Sequence, residues 1–92
     1  MQPEKFSKQE EAILKALSNT VKKKRIELEK SQRLLGAEYD IQKSMLSRFE
    51  NCKNEPKLFS LWRLANAFGI KLSEFIKLIE DESPEYIPLI EE

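Results

Sequence analysis

The stretch Q-K-S-M-L-S-R-F-E, Gln42 to Glu50, restricts the fold more than any other part of the chain. Wound at about 100° per residue, it places Ile41, Met45, Leu46 and Phe49 on one side and Lys43, Ser44, Ser47 and Arg48 on the other. A helix of roughly two to three turns does not persist alone in water. Its apolar side therefore has to be held by other helices, and its polar side is left facing outward. Asp40 precedes it, and Asp accepts turn geometry better than most residues, so a break is expected there.

The rest of the chain supplies the partners. Ser7 and Glu10 have the spacing of a capping box. Ile13, Leu14, Leu17, Val21, Ile26 and Leu28 then recur at helical steps, which predicts a first helix from about Ser7 to Lys30. Within it, Lys22 to Arg25 cannot all face one way, and Arg25, beside the apolar stripe, is expected to point inward. Ser31 is suited to cap a second helix through Leu34, Leu35 and Tyr39, with Gly36 and Ala37 small between them. Asn51 to Lys57 reads as a loop, since Pro56 disfavours helix at Glu55. A fourth helix follows from Leu58 to Phe68, stopped by Gly69, and Ser73 is the expected cap of a fifth carrying Phe75, Ile76 and Ile79. The expected core is Leu35, Tyr39, Ile41, Met45, Leu46, Phe49, Leu61, Trp62, Leu64, Phe68, Leu72, Phe75 and Ile76.

At 92 residues the chain fits a small all-α domain, residues 1–80, followed by an arm, residues 81–92, in which Pro84 and Pro88 oppose helix. The formal charge of zero conceals a division. Residues 21–79 carry 13 bases against 7 acids, whereas residues 80–92 carry six acids and no base. A basic body suits a polyanion, although lysines on solvated faces give the same count. There is no histidine and a single cysteine, Cys52, which excludes the usual zinc sites, histidine acid–base catalysis and an internal disulfide. No catalytic cluster can be assembled, so an enzyme is not expected, and no cofactor or metal is implied. No apolar run approaches a membrane span, and a soluble cytoplasmic protein is expected.

Two short helices joined by a tight turn, the second with a polar outer face, have the plan of a helix-turn-helix. The major groove of B-DNA admits one such helix, and residues near its N-terminus reach base edges. Arg48 can pair bidentately with guanine O6 and N7, Lys43 can reach guanine or phosphate, and Ser44 and Ser47 suit several bases.

The run S-Q-x-x-L at Ser31 to Leu35, then S-M-L-S-R-F-E at Ser44 to Glu50, a loop ending in Pro56, and L-x-x-L-A at Leu61 to Ala65 resembles the Xre/Cro-type helix-turn-helix domain. The similarity continues through Gly69-Ile70 and Leu72 to Phe75, so it spans about residues 20–79. It implies a five-helix bundle of the lambda-repressor-like type that binds double-stranded operator DNA as a homodimer, in the manner of a repressor or other transcription regulator. Base contacts are implied for Lys43, Ser44, Ser47 and Arg48, and phosphate contacts for Gln32, Gln42, Asn51, Lys53 and Lys57. An internal ion pair is implied between Arg25 and Glu50. Gly36 stands where the family commonly has alanine, and Asp40 and Cys52 stand where it commonly has glycine. A second reading is a protein-interaction module, such as an antitoxin or adaptor on the same fold. It rests on Tyr86, Ile87, Leu89 and Ile90 of the arm, which can dock on a partner protein, cross a dimer or pack on their own domain.

Overall fold

Ser7 begins the first helix with a reciprocal cap: its Oγ accepts the Glu10 N–H at 3.1 Å, and its own N–H donates to Glu10 Oε1 at 2.8 Å. In this computed structural model, residues 6–39, 41–83 and 85–90 are described, with Lys43 described for its backbone alone. Five helices follow in order, α1 (Lys8–Glu27), α2 (Gln32–Tyr39), α3 (Lys43–Glu50), α4 (Leu58–Ala67) and α5 (Leu72–Glu82). No strand occurs among the described residues, and no helix there is long and apolar enough to cross a membrane. Asp40, where the break was expected, and Pro84 lie outside the described residues, as does the side chain of Lys43.

The ends of α1, α3 and α4 close in the same way. In each, one N–H reaches back three residues and the next reaches back five, while the residue between cap and return adopts positive φ. At α1 these are Glu29 N–H to the Ile26 carbonyl, 2.9 Å, and Lys30 N–H to the Arg25 carbonyl, 3.2 Å, with Glu29 at φ 56°. At α3, Cys52 (φ 59°) bonds the Phe49 carbonyl at 3.3 Å, and Lys53 bonds Arg48 at 3.0 Å. At α4 the residue is Gly69, φ 73°, the stop that its sequence predicts. Glu29 moves the end of α1 to Glu27, three residues before the expected Lys30. The αL backbone of Cys52 also explains why that position favours glycine.

α2 starts as expected, with Ser31 Oγ accepting the Leu34 N–H at 3.1 Å. Its end is closed by the Ile41 N–H on the carbonyl of buried Gly36, 3.0 Å. The fifth helix differs: Lys71 is its N-cap, and Ser73 lies inside the first turn. The apolar stripe of α5 begins at Leu72 and continues through Phe75, Ile76 and Ile79, so the helix has to include Leu72 to turn that residue toward the core. Asp81 and Glu82 form its last turn, supported by Lys77–Asp81 at 3.0 Å and Lys23–Glu82 at 2.6 Å. The residues described after Pro84 have no regular secondary structure.

Leu17, Val21, Leu35, Ile41, Leu46, Phe49, Leu64, Ala65, Phe68 and Phe75 form the core, with Met45, Leu61, Leu72 and Ile79 packed around it. Phe68 and Phe75 meet edge to face at 5.8 Å, which joins α4 to α5. Two expected core residues are exposed instead. Trp62 follows Leu61 by about 100° around α4, away from the inward Leu61, Leu64, Ala65 and Phe68, and is 49% exposed. Tyr39, at the end of α2, packs under the Lys30 ammonium, 5.2 Å from the ring centroid. In α1 the inward stripe passes from Leu14 and Leu17 through Ser18 and Val21 to Arg25, which leaves Ile26 on the outer side.

Candidate nucleic-acid interface

α3 is eight residues long, which at 1.5 Å per residue is about 12 Å. Leu46 is fully buried, and Ile41 and Phe49 nearly so, because their helical spacing brings all three to the side that meets the core. Glu50 is buried as well, which for a carboxylate requires partners. Arg25 supplies a two-pronged contact, Nε to Oε2 at 2.9 Å and Nη2 to Oε1 at 3.0 Å. The guanidinium's remaining Nη1 donates to the Lys30 carbonyl at 2.9 Å. The Glu50 hydrogen bond, opposed by partial burial and aided by the carboxylate charge, raises the already high pKa of Arg25.

Ser18, seven residues before Arg25 and therefore two turns away on the same side of α1, donates its hydroxyl to the Glu50 carbonyl at 2.6 Å. That carbonyl is one of those α3 cannot satisfy internally. Backbone and side chain of a single residue thus lock the C-terminal end of α3 onto α1.

The other side of α3 is open. Ser44 and Arg48 are exposed, and Arg48 forms no ion pair among the described residues. Ser47 is half-buried, and its hydroxyl is shared with Asn51, whose amide nitrogen donates to the Ser47 carbonyl at 2.8 Å and reaches Ser47 Oγ at 3.3 Å. Asn51 therefore secures the end of α3. Gln42 is the N-cap by its backbone, and its exposed side chain makes no capping hydrogen bond. Met45 N–H donates to the Gln42 carbonyl at 3.0 Å, which leaves the amides of Lys43 and Ser44 at the start of α3 available to an anion. Lys43 is the first residue of that turn.

Around this helix the remaining sequence-predicted residues are spread over two further segments. Gln32 opens α2 and is half-buried, while Lys53 and Lys57 are exposed in the loop between α3 and α4. Arg33 and Ser18 are absent from the sequence-based set. Arg33 is exposed in the first turn of α2 with no ion pair among the described residues. A positive charge there opposes the helix dipole, so an external anion would relieve it. Its signal in the sequence is a base two positions after the Ser31 cap. Ser18 has a fainter signal, a hydroxyl in the apolar stripe two turns before an inward arginine.

A family model for helix-turn-helix domains, HTH_3, matches residues 21–75. The fold is similar to that in the crystal structure of an HTH_3 family transcriptional regulator from Vibrio cholerae, with a TM-score of 0.69 at 20% identity over 86% of this chain. This chain spans 46% of that protein's length. Among curated protein sequences nothing matches it. The matched span runs from the second half of α1 into α5 and encloses both helices of the motif and the Arg25–Glu50 pair, and the chain belongs to the HTH_3 helix-turn-helix family.

Proposed function

We propose that this chain is a sequence-specific DNA-binding transcriptional regulator that acts by occupying an operator with α3 in the major groove. The observation that carries the reading is the division of α3 into a fixed inner side, ending in Glu50, and an outer side where Ser44 and Arg48 stand free. A major groove about 12 Å wide admits a helix about 10 to 12 Å across with its side chains. Arg48 reads guanine through its donor fork, Lys43 and Ser44 act from the first turn, and Ser47 contributes the part of its hydroxyl not taken by Asn51. Gln32, Gln42, Lys53 and Lys57 contact phosphate, joined by Arg33. Asn51 reaches phosphate by exchanging its Ser47 hydrogen bonds. The description of the Vibrio cholerae protein as a transcriptional regulator supports the same role.

Two copies on a two-fold site place their α3 helices about 34 Å apart. Selection of bound sequences from random duplex DNA tests both statements. Enrichment of a repeated half-site at that spacing is expected, and recovery of unenriched DNA would reject sequence-specific reading.

A second reading is favoured by the arm, where Tyr86, Leu89 and Ile90 are exposed among acids. A partner protein docks there in this reading. A stoichiometric protein that copurifies with the full chain and is lost on deleting residues 85–92, which leaves α5 whole, would support it over operator binding alone.

A further inference from the structure

A groove of about 1060 Å³ lies where α1, the loop after α3, α4, α5 and the arm converge. Its walls include Ile13, Leu17, Leu61, Ile76, Ile79 and Ile87. All but Leu17 are only half-buried, so a layer of aliphatic surface remains uncovered. The rim is predominantly acidic. Glu55, Glu80, Asp81 and Glu85 are exposed along it, and Lys77, the one cation among the described residues of the lining, is paired with Asp81 at 3.0 Å. Glu55, Glu80 and Glu85 have no ion-pair partner among the described residues. Residues 21–79 are on balance basic, so this acidic surround sets the groove apart from the α3 face.

We propose that the groove binds a small amphiphilic organic cation, its alkyl or aryl body against the isoleucine and leucine walls and its ammonium head at Glu80 and Glu85. The volume is slightly above the range of small-ligand sites, about 300 to 1,000 Å³, so a small ligand fills part of the groove. Apolar walls with a few polar groups at one edge are the composition such sites share. The rim selects by sign: a cation gains Coulomb energy from three unpaired carboxylates, while an anion of the same shape is repelled.

The test is a nuclear magnetic resonance titration of the full isotope-labelled chain with decyltrimethylammonium below its micelle concentration, alongside decyl sulfate and decyl maltoside. Saturable shifts of the Ile13, Leu61, Ile79 and Ile87 amides are expected with the cation, and no saturable shift with the sulfate. Affinity for the cation is expected to fall with added salt. A Glu80→Gln, Glu85→Gln double variant alters exposed side chains and should keep the parent spectrum, while binding the cation about fivefold more weakly. Equal binding of all three probes would overturn the proposal. So would shifts centred on the exposed Leu58, Phe59 and Trp62 of α4, or an unchanged affinity in the double variant.

Discussion

On the inward side of α3, Leu46 and Phe49 are buried, and Glu50 is held to α1 by Arg25 and Ser18. On the outward side, Ser44 and Arg48 meet solvent. Both sides belong to the same eight residues, yet one is bound up with folding and the other is not. Position and recognition are thereby separated. The inner contacts fix where the helix sits, and the outer residues can change without disturbing the core. Substitutions on the two sides should therefore fall into two classes, one moving stability and the other moving binding.

The largest expected effect lies inside. Phe49→Ala removes a buried ring from the junction of α3 with the core and is expected to destabilise the chain by about 3 to 5 kcal/mol in denaturant unfolding. Arg25→Ala should come next, at about 3 kcal/mol, because it strands the buried Glu50 carboxylate. Arg25→Lys should recover only part of this, since an ammonium cannot span both carboxylate oxygens and the Lys30 carbonyl. The raised pKa of Arg25 fixes the sign of any alkaline effect. Its contribution is complete below the unfolded guanidinium value and is lost only as pH rises through the higher folded value. The Arg25→Ala loss should accordingly be constant between about pH 7 and pH 10. A loss confined to one end of that range would mean that another group holds Glu50.

Outside, the order reverses between stability and binding. Arg48→Ala should change stability by less than about 0.5 kcal/mol. Its affinity for the preferred DNA sequence should fall by about 1 to 3 kcal/mol, with relaxed discrimination at one base position. Lys53→Ala should weaken all sequences alike and lower the salt slope by about 1. Parallel titrations against selected and random duplexes check the contrast. If both variants weakened specific and random DNA equally, the outer face of α3 would not be the reading surface.

Much of this division is legible in the sequence. The Ser7 cap, the five helical periods and the two faces of Gln42–Glu50 follow from residue type and spacing, because they depend on neighbours along one helix. What escaped depends on neighbours between helices. Trp62 and Leu61 are equally apolar, and only the direction in which α4 packs decides which of them is covered. Tyr39 lies outside the core, where its ring meets the Lys30 ammonium rather than apolar neighbours. Ser18 interrupts the apolar stripe of α1, and its purpose appears only when the Glu50 carbonyl arrives from α3. The end of α1 departs from expectation for another reason, since its left-handed position is filled by Glu29 where sequence rules look for glycine, whereas α3 ends at Glu50 as expected although Cys52 fills the same position there.

That substitution permits the smallest and most controlled test, a comparison of the end of α3 with the end of α4. Both close with the same two hydrogen bonds, one through Cys52 at φ 59° and the other through Gly69 at φ 73°. A side chain in this region costs about 1 kcal/mol or somewhat more. Cys52 also directs its thiol at the Leu14 carbonyl, 3.6 Å away, so replacing it by glycine alone would mix two effects. Cys52→Ala removes the thiol and keeps the strained backbone, whereas Cys52→Gly removes both. The glycine variant is therefore expected to be more stable than the alanine variant by about 1 kcal/mol. Gly69→Ala should lose a similar amount, since a Cβ at Gly69 would meet nothing within 4 Å and only its φ opposes the change. Matched differences at the two ends would assign the cost to backbone conformation. A much smaller difference at Cys52 would mean that the inner fastening of α3, through Arg25, Ser18 and Glu50, holds the end of the helix so firmly that its closing turn contributes little.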